Sequence, residues 1–359
     1  MECAAALTSI KTRVPFALFH AAKHSARLAF LAAVCAVTEG AAVHARATCI
    51  GTAVAAVLDD AQRRVCVLGG RPGMPRSLGS VYAGAIVRFL GGCRGVRSRV
   101  FETGIASWNN TMALTHDGTM LLIADCFISV PSDRPALTVI RVADGGLVRC
   151  VGTGGRGPLQ FTTPRQVYIA IDEHVFVADL GNKRVQVLTP TLEFHSFLGV
   201  GRLDAPIGVC ADAGAVFVSD WDRHCISVFA RSDGALLRHF GSFGSRDGQL
   251  NEPLSLCIVG RTGNIAVADF KNRRVCIFSV DGAFVRHLGV GKSPTGIAGS
   301  HAGDEIAVTY QNALSSIAMF DAGGELLRTL ECWPGFSGAS IHDGAVYAHT
   351  ANGACAVFT

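Results

Sequence analysis

The stretch "NIAVADFKNRRVCIFSVDGAFVRHLG" at Asn264–Gly289 occurs in more than one version in this chain. Close copies are "VFVADLGNKRVQVLTPTLEFHSFLG" at Val175–Gly199 and "VFVSDWDRHCISVFARSDGALLRHFG" at Val216–Gly241. An Asp ends the first apolar run of each copy, and these residues are Asp179, Asp220 and Asp269. Similarity that returns every 40 to 50 residues or so indicates a repeat architecture.

Each copy contains four segments with the character of short β-strands. The first opens with Pro, as in "PIGVCAD" and "PLSLCIV", and the second ends in the Asp. A polar turn leads to the third segment, and a turn such as "VDG" or "SDG" leads to the fourth. Asp-Gly supplies the positive φ angles of a tight hairpin, and Pro is tolerated where a strand begins. Four antiparallel strands per repeat form one blade of a β-propeller, and blades bury their faces only by packing in a ring.

The repeats predict an all-β, six-bladed propeller. The units begin near Ile105, Pro164, Pro206, Pro253, Pro294 and Gly338. The last unit ends after its third strand, so we expect "YAGAIVRFLGG" at Tyr82–Gly92 to supply the missing fourth strand and close the ring. In the Asp column, the last two units carry Thr309 and His349. A fainter copy at Val54–Gly70 leaves a seven-bladed ring as an alternative.

The turn and the linker between blades carry a family resemblance. "ADLGNKRVQV" at Ala178–Val187, "ADFKNRRVCI" at Ala268–Ile277 and "FGSFGSRDGQLNEP" at Phe240–Pro253 resemble the NHL-repeat β-propellers. The resemblance covers about Cys49 to Thr359 and implies four-stranded antiparallel blades that recognise protein or RNA without catalysis. Related propellers are often joined to tripartite-motif ubiquitin ligases, so substrate recognition for such a ligase is an expectation, although this sequence has no RING or B-box spacing.

Residues 1–48 differ in composition from residues 49–359, which we assign to the propeller. They are Ala-rich and poor in acids, and their apolar run Leu28–Val37 is too short to span a bilayer. A targeting segment and a disordered extension both stay open here. The 13 cysteines form no CxxC pair and recur within repeats, which favours buried thiols over zinc sites or disulfides. We expect a monomer, with the cytoplasm favoured and the compartment otherwise undetermined.

The residues that follow the Asp predict a partner-binding rim. Aromatic or aliphatic side chains occupy this column beside basic ones, and the predicted rim consists of Leu180, Lys183, Trp221, Arg223, Phe270, Lys271, Arg273 and Tyr310. Aromatic faces beside guanidinium groups bind peptides or stack on bases. The alternative is that each ring covers the neighbouring blade and each Arg pairs with the Asp of its own turn. A second set is predicted to cap the turns structurally, namely Asp179, Asn182, Arg184, Asp220, Asp269, Asn272 and Arg274.

The charge balance favours a protein partner over RNA. Lys and Arg exceed Asp and Glu by 32 − 28 = +4, and much of the excess lies in residues 1–48. Single-stranded RNA binding through the basic and aromatic rim stays as an alternative. A third alternative is a propeller hydrolase or lyase of the lactonase or amidating-lyase type.

Catalysis is the weakest of these hypotheses. The GxGxxG match at Gly152–Gly157 lies in a linker with no helix after it. The strands expected to line the channel offer poor ligands for a hard cation, namely Gln166, Cys210, Ser255, Cys257 and Thr295. We therefore predict no catalytic residues, no metal site and no cofactor.

Overall fold

The computed structural model describes residues 98–102, 112–124, 136–288, 291–300, 305–310, 316–331, 336–350 and 354–358. All of them belong to one compact unit. The extension 1–48, the faint repeat Val54–Gly70 and the segment Tyr82–Gly92 lie outside the described residues.

The described residues form six four-stranded antiparallel sheets, which confirms the six-bladed β-propeller. Blades 1 to 3 consist of the strands Met112–Leu114, Met120–Ala124, Leu137–Arg141 and Leu147–Val151; Pro164–Ile169, Val175–Asp179, Arg184–Leu188 and Phe194–Leu198; and Pro206–Ala211, Ala215–Asp220, Cys225–Ala230 and Leu236–Phe240. Blades 4 to 6 consist of Pro253–Val259, Asn264–Asp269, Arg274–Phe278 and Phe284–Leu288; Pro294–Gly299, Glu305–Tyr310, Ser316–Asp321 and Leu326–Glu331; and Phe336–His342, Ala345–Thr350, Ala354–Phe358 and Ser98–Glu102. The remaining elements are a short parallel pair, Thr153–Gly154 with Gln160–Phe161, and two single-turn 3-10 helices, Leu180–Asn182 and Gly260–Thr262.

An N-terminal strand closes the ring, but it is a different strand from the predicted one. The outermost strand of blade 6 is Ser98–Glu102, which pairs antiparallel with Ala354–Phe358. The prediction that Tyr82–Gly92 takes this place is therefore wrong. The place was unfilled in the sequence of the last repeat, and "SRVFE" has too little alternation of apolar residues to stand out as a strand.

The core lies between consecutive blades, as a propeller requires. One apolar cluster joins residues of blades 1 and 2, such as Leu137 and Val177, and others join each following pair around to blades 5 and 6. The first strands of neighbouring blades contact one another around the whole ring. Second and third strands are almost wholly buried, whereas the fourth strands of blades 1 to 5 are largely exposed or half-buried and bury one residue near their end.

The strand register corrects the alignment of the last two repeats. In blades 2 and 4 the Asp pairs with the opening Pro, as Asp179 does with Pro164. In blade 5 the residue that pairs with the opening Pro294 is Tyr310, and Thr309 pairs with Gly296. Blade 6 has the same arrangement, with Thr350 opposite the opening Phe336. Thr309 and His349 therefore lie one position before the Asp column, and Tyr310 occupies that column.

Two sets of polar contacts hold the blades together. On the outer strands, Arg149 donates to the carbonyl of Thr191 in the next blade at 3.1 Å, and Arg238 donates to Val280 at 2.6 Å. Near the axis, Gln166 of blade 2 donates to the carbonyl of Leu256 in blade 4 at 2.7 Å. Its side-chain oxygen accepts from the Leu256 amide and the Ser255 hydroxyl, so this residue bridges the ring past blade 3.

Candidate functional site

The turn between the second and third strands of a blade is held to the linker that precedes that blade. In blade 2, Asp179 is fully buried and accepts hydrogen bonds from the amides of Thr162 and Thr163 in the linker. Asn182 donates both to Asp179, at 2.7 Å, and to the carbonyl of Gly155. These two side chains therefore bond to the backbone of the linker, which lies many residues earlier in the chain.

An arginine, buried in blade 2 and half-buried in blade 4, completes this arrangement. Arg184 lies 3.5 Å from Asp179 and donates to three linker carbonyls, those of Arg156, Gly157 and Gln160. Its burial lowers the pKa of the guanidinium, and Asp179 opposes that effect. In blade 4, Arg274 pairs with Asp269 at 2.8 Å and donates to the carbonyls of Ser245, Arg246 and Gln249. These contacts leave the two arginines little freedom to bind a partner.

Blade 3 lacks this arginine. Cys225 pairs with Asp220 in the ladder, in the place that Arg184 and Arg274 hold in their blades. Arg223 from the turn substitutes in part, because its Nε lies 2.5 Å from Asp204 in the linker and 3.8 Å from Asp220. The hydrogen bond from Arg223 lowers the pKa of Asp204. Arg223, which the sequence placed on the binding rim, is thus engaged within the molecule.

The other predicted rim residues of blades 2 to 4 lie on one side of the propeller. This side, which we call the linker face, carries the turns after the second strands and the linkers between blades. Trp221 is 36% exposed, Lys183, Lys271 and Arg273 are exposed, and Leu180 and Phe270 are half-buried. Lys271 lies 3.7 Å from Glu252 and over the ring of Phe270.

Tyr310 does not belong to this surface. It is only 4% exposed and packs in the apolar cluster between blades 4 and 5. Its burial raises the pKa of the phenol well above the usual value. The physical reason is the register, because Tyr310 takes the inward place of the buried Asp rather than the place of the turn residue after it. We therefore remove it from the candidate binding residues.

Two exposed apolar residues on the linker face were missed by sequence reasoning. Phe243 is 65% exposed in the linker before blade 4, and Val200 is 64% exposed in the linker before blade 3. Both stand beside glycines, in "GSFG" and "GVG", so they looked like ordinary linker positions. A bulky apolar residue between flexible glycines in a surface loop is the signal that was available.

Phe243 is one of four aromatic side chains in neighbouring loops of blades 3 and 4 on the linker face. Its ring lies 4.8 Å from that of His224, at the end of the turn that begins with Trp221. The His224 Nδ1 accepts a hydrogen bond from the amide of Glu252, whose carboxylate pairs with Lys271. We define the aromatic strip as Trp221, His224, Phe243 and Phe270.

The last residue of each of these turns has a left-handed backbone. The φ angles are 54° at Lys183, 53° at His224 and 55° at Arg273. Glycine and asparagine favour this conformation, and other residues adopt it at a cost. Two long basic side chains and an imidazole therefore occupy positions that backbone geometry alone would assign to glycine. Such conformations concentrate at functional sites.

Charge is segregated between the two sides of the propeller. In the described loops of the linker face, basic residues outnumber acidic ones, with Arg156, Lys183, Arg202, Arg223, Arg246, Lys271, Arg273 and Lys292 against Asp204, Asp222, Asp247 and Glu252. The opposite side, which we call the hairpin face, is rich in acids, including Asp117, Asp144, Asp172, Glu173, Glu193, Asp212, Asp233, Asp281, Asp321, Glu325 and Asp343. The near-neutral total hides this separation, so the net charge does not describe the charge of either side.

First strands of several blades line a small cavity near the axis of the propeller. A cavity of about 20 Å³ lies among Met112, Gln166, Ser255, Ile297 and Ala339, with room for about one water molecule. The described residues contain no group of three or more His, Cys, Asp and Glu side chains placed to hold a metal ion. Five of the six cysteines in the described part of the chain are buried and all six are free thiols. No helix among the described residues is both long and apolar enough to cross a membrane.

Two curated proteins share sequence with this chain. Protein brain tumor of Drosophila melanogaster is 29% identical over 136 residues, which are 37% of this chain and 13% of that protein. RING finger protein nhl-1 of Caenorhabditis elegans is 46% identical over 50 residues, which are 14% of this chain and 5% of that protein. The chain thus matches only a small part of the length of either relative. Both are NHL-repeat proteins, and no family model matches the chain.

Solved structures share the fold at low sequence identity. A catalytically inactive variant of virginiamycin B lyase from Staphylococcus aureus has a TM-score of 0.53 at 12% identity, covering 74% of this chain and 99% of that one. The WD40 repeats of RRP9 have a TM-score of 0.52 at 11% identity, with the same coverage. At these identities the likeness concerns the propeller architecture alone.

Proposed function

We propose that this chain, an NHL-type six-bladed β-propeller, serves as a non-catalytic platform that binds a partner protein through the linker face of blades 3 and 4. The observation that carries the proposal is the aromatic strip, together with the exposed Val200. Aromatic side chains ringed by basic residues are enriched where proteins bind one another. The polar contacts that fix the turns supply a rigid base for them.

The test is capture of partners by the tagged full chain, followed by mass spectrometry. The variant Trp221→Ala with Phe243→Ala removes two exposed rings, and we expect it to lose specific partners while keeping its melting temperature. The matched control is Leu237→Ala with Val285→Ala, which removes exposed apolar side chains from the outer strands of the same two blades. Equal losses from both variants, or no loss from the first, would contradict the proposal.

A narrower form of the proposal is substrate recognition for a ubiquitin ligase. It is supported by the likeness to a RING finger protein over 50 residues and by the NHL-type repeats. We expect a RING-containing ligase among the proteins whose capture requires the intact aromatic strip. Its absence from that set would leave the binding platform and remove the ligase role.

Single-stranded RNA is the second candidate partner, and the segregation of charge favours it. The basic linker face offers phosphate contacts beside rings on which bases can stack. Phosphate contacts release counterions, so RNA affinity must fall steeply as salt is raised. Binding to a labelled uridine decamer across a salt series tests this candidate, and affinity that does not change with salt would exclude the phosphate-driven form.

A further inference from the structure

We propose that the segment bound by the linker face is an acidic stretch of a partner protein that carries one large apolar side chain. The inference rests on the proposed function, because it names the chemistry of the partner for that same surface. It follows from three properties of the described residues: exposed apolar side chains, basic residues that are not neutralised, and an acidic opposite side.

The apolar side chain of the partner is inferred from the exposed ring of Phe243. Its ring is covered on one side by His224 and remains 65% exposed, so a partner side chain can bury it further. Trp221 lies in the same turn as His224, and its indole is partly exposed. One large apolar side chain packed against these rings would bury apolar surface that is exposed to solvent in the propeller alone.

The acidic character of the partner is inferred from basic residues whose charge few ion pairs within the molecule neutralise. Arg246 and Arg273 are exposed and form no ion pair among the described residues, and Lys271 meets only Glu252, at 3.7 Å. Arg223 differs, because it is closely paired with Asp204. Arg246, Lys271 and Arg273 therefore offer positive charge beside the aromatic strip to an incoming carboxylate.

The negative charge of the hairpin face also favours binding of an acidic segment to the linker face, because it repels such a segment from the opposite side. Its hairpins carry Asp172, Asp233, Asp281 and Glu325. Among the described residues, Arg231 pairs with Asp172 and Arg141 pairs with Asp144, and the acidic residues of this side outnumber these arginines. An acidic segment is repelled from that side and attracted to the linker face, so charge selects the side on which it docks.

A protein segment fits this surface better than an RNA strand. The exposed carboxylates of Asp222 and Asp247 interrupt the basic loops, and a strand with a charge on every nucleotide meets them wherever it crosses the surface. A peptide can place its carboxylates beside the arginines and a neutral or apolar side chain elsewhere. Val200 is aliphatic and offers no ring for a base to stack on.

The experiment is selection from a random peptide library displayed on phage, with the full chain as target and the variant Trp221→Ala with Phe243→Ala for counter-selection. Selected peptides are then synthesised and titrated by fluorescence anisotropy. We expect sequences rich in Asp and Glu around one large apolar residue. Arg246→Ser with Lys271→Ser should weaken them about fivefold, with a reduced dependence on salt.

A matched control separates local charge from total charge. Ser232→Glu with Ala283→Glu lowers the net charge by the same amount on the hairpin face, at exposed positions, and should leave the affinity within about twofold. Reversing the charge at these two positions of the linker face, with Arg246→Glu and Lys271→Glu, should shift the selection toward Lys- and Arg-rich peptides.

The possible outcomes distinguish the acidic partner segment from the proposed function on which it rests, the protein-binding platform. Peptides that require the aromatic strip but are not enriched in acids overturn the acidic partner and leave the platform standing. Failure to recover any peptide that requires the strip overturns both. A uridine decamer that binds more tightly than every selected peptide and displaces them overturns the inference in favour of RNA.

Discussion

Replacing Arg273 with glycine is expected to stabilise the propeller while weakening it as a binding protein. Arg273 has φ of 55°, is exposed, and its backbone amide bonds to the Phe270 carbonyl, which glycine preserves. A left-handed conformation costs an ordinary residue about 1–2 kcal/mol. Glycine loses more backbone freedom on folding, which costs about 0.5–1 kcal/mol. The balance is a gain of about 0.5–1 kcal/mol, or roughly 2 °C in melting temperature for a domain of this size.

Urea unfolding of Arg273→Gly and of two companions in the same turn measures this balance. Lys271→Gly introduces glycine where the backbone has no positive φ, so it should lose about 0.5–1 kcal/mol. Arg273→Ala removes the same side chain and keeps the unfavourable conformation, so it should show no gain. The same three proteins are titrated with the selected acidic peptides, which Arg273→Gly should bind about two- to fivefold more weakly.

A loss of stability in Arg273→Gly would refute the reasoning, because it would mean that the arginine side chain holds the turn together. Unchanged binding with increased stability would also count against it. In that case the left-handed arginine would be neither structural nor functional, and the link between unfavourable backbone and function would fail at this position.

Three further predictions concern the buried polar groups. Burial lowers the pKa of His349 to about 4, so the folded protein favours the neutral imidazole. The free energy of unfolding should therefore be constant above pH 6.5 and fall by about 1.4 kcal/mol per pH unit as the pH drops from 6.5 toward 4. His349→Gln should remove that slope in urea titrations at several pH values. Gln166→Ala should cost about 2 kcal/mol by leaving the buried amide of Leu256 without its acceptor, and an unchanged urea midpoint would show that water replaces the side chain. Asp269→Ala should cost about 3 kcal/mol, since Arg274 and the Asn251 amide lose their acceptor, and a loss below 1 kcal/mol would contradict the assigned role.

The architecture could be predicted from the sequence because blades 2 to 4 repeat much of the same local chemistry. An Asp that must be buried, a Pro that must open a strand and an Asp-Gly hairpin recur at fixed offsets, and each constrains the backbone by itself. The closing strand escaped prediction because its place is set by the partner strand Ala354–Phe358, far away in the chain, and not by any pattern of its own.

The candidate site was readable only in part, for two physical reasons. Tyr310 was assigned by its neighbours in the sequence, whereas its burial follows from pairing with Pro294, and a shift of one residue reverses the direction of a side chain in a strand. The difference in charge between the two sides depends on which loops lie together on one side of the ring. Alternate loops of each blade go to opposite sides, so charges that cancel along the chain are separated in space.

The pairing of Ser98–Glu102 with Ala354–Phe358 gives synthesis of this protein a fixed order of events. The strand that completes the last blade leaves the ribosome before any blade exists, and its partner leaves after all the others. Blades 1 to 5 can assemble on an open arc in the meantime, with exposed edges at both ends of it. The ring can close only after residue 358 has been synthesised, so a chain interrupted before that point presents an unpaired strand edge.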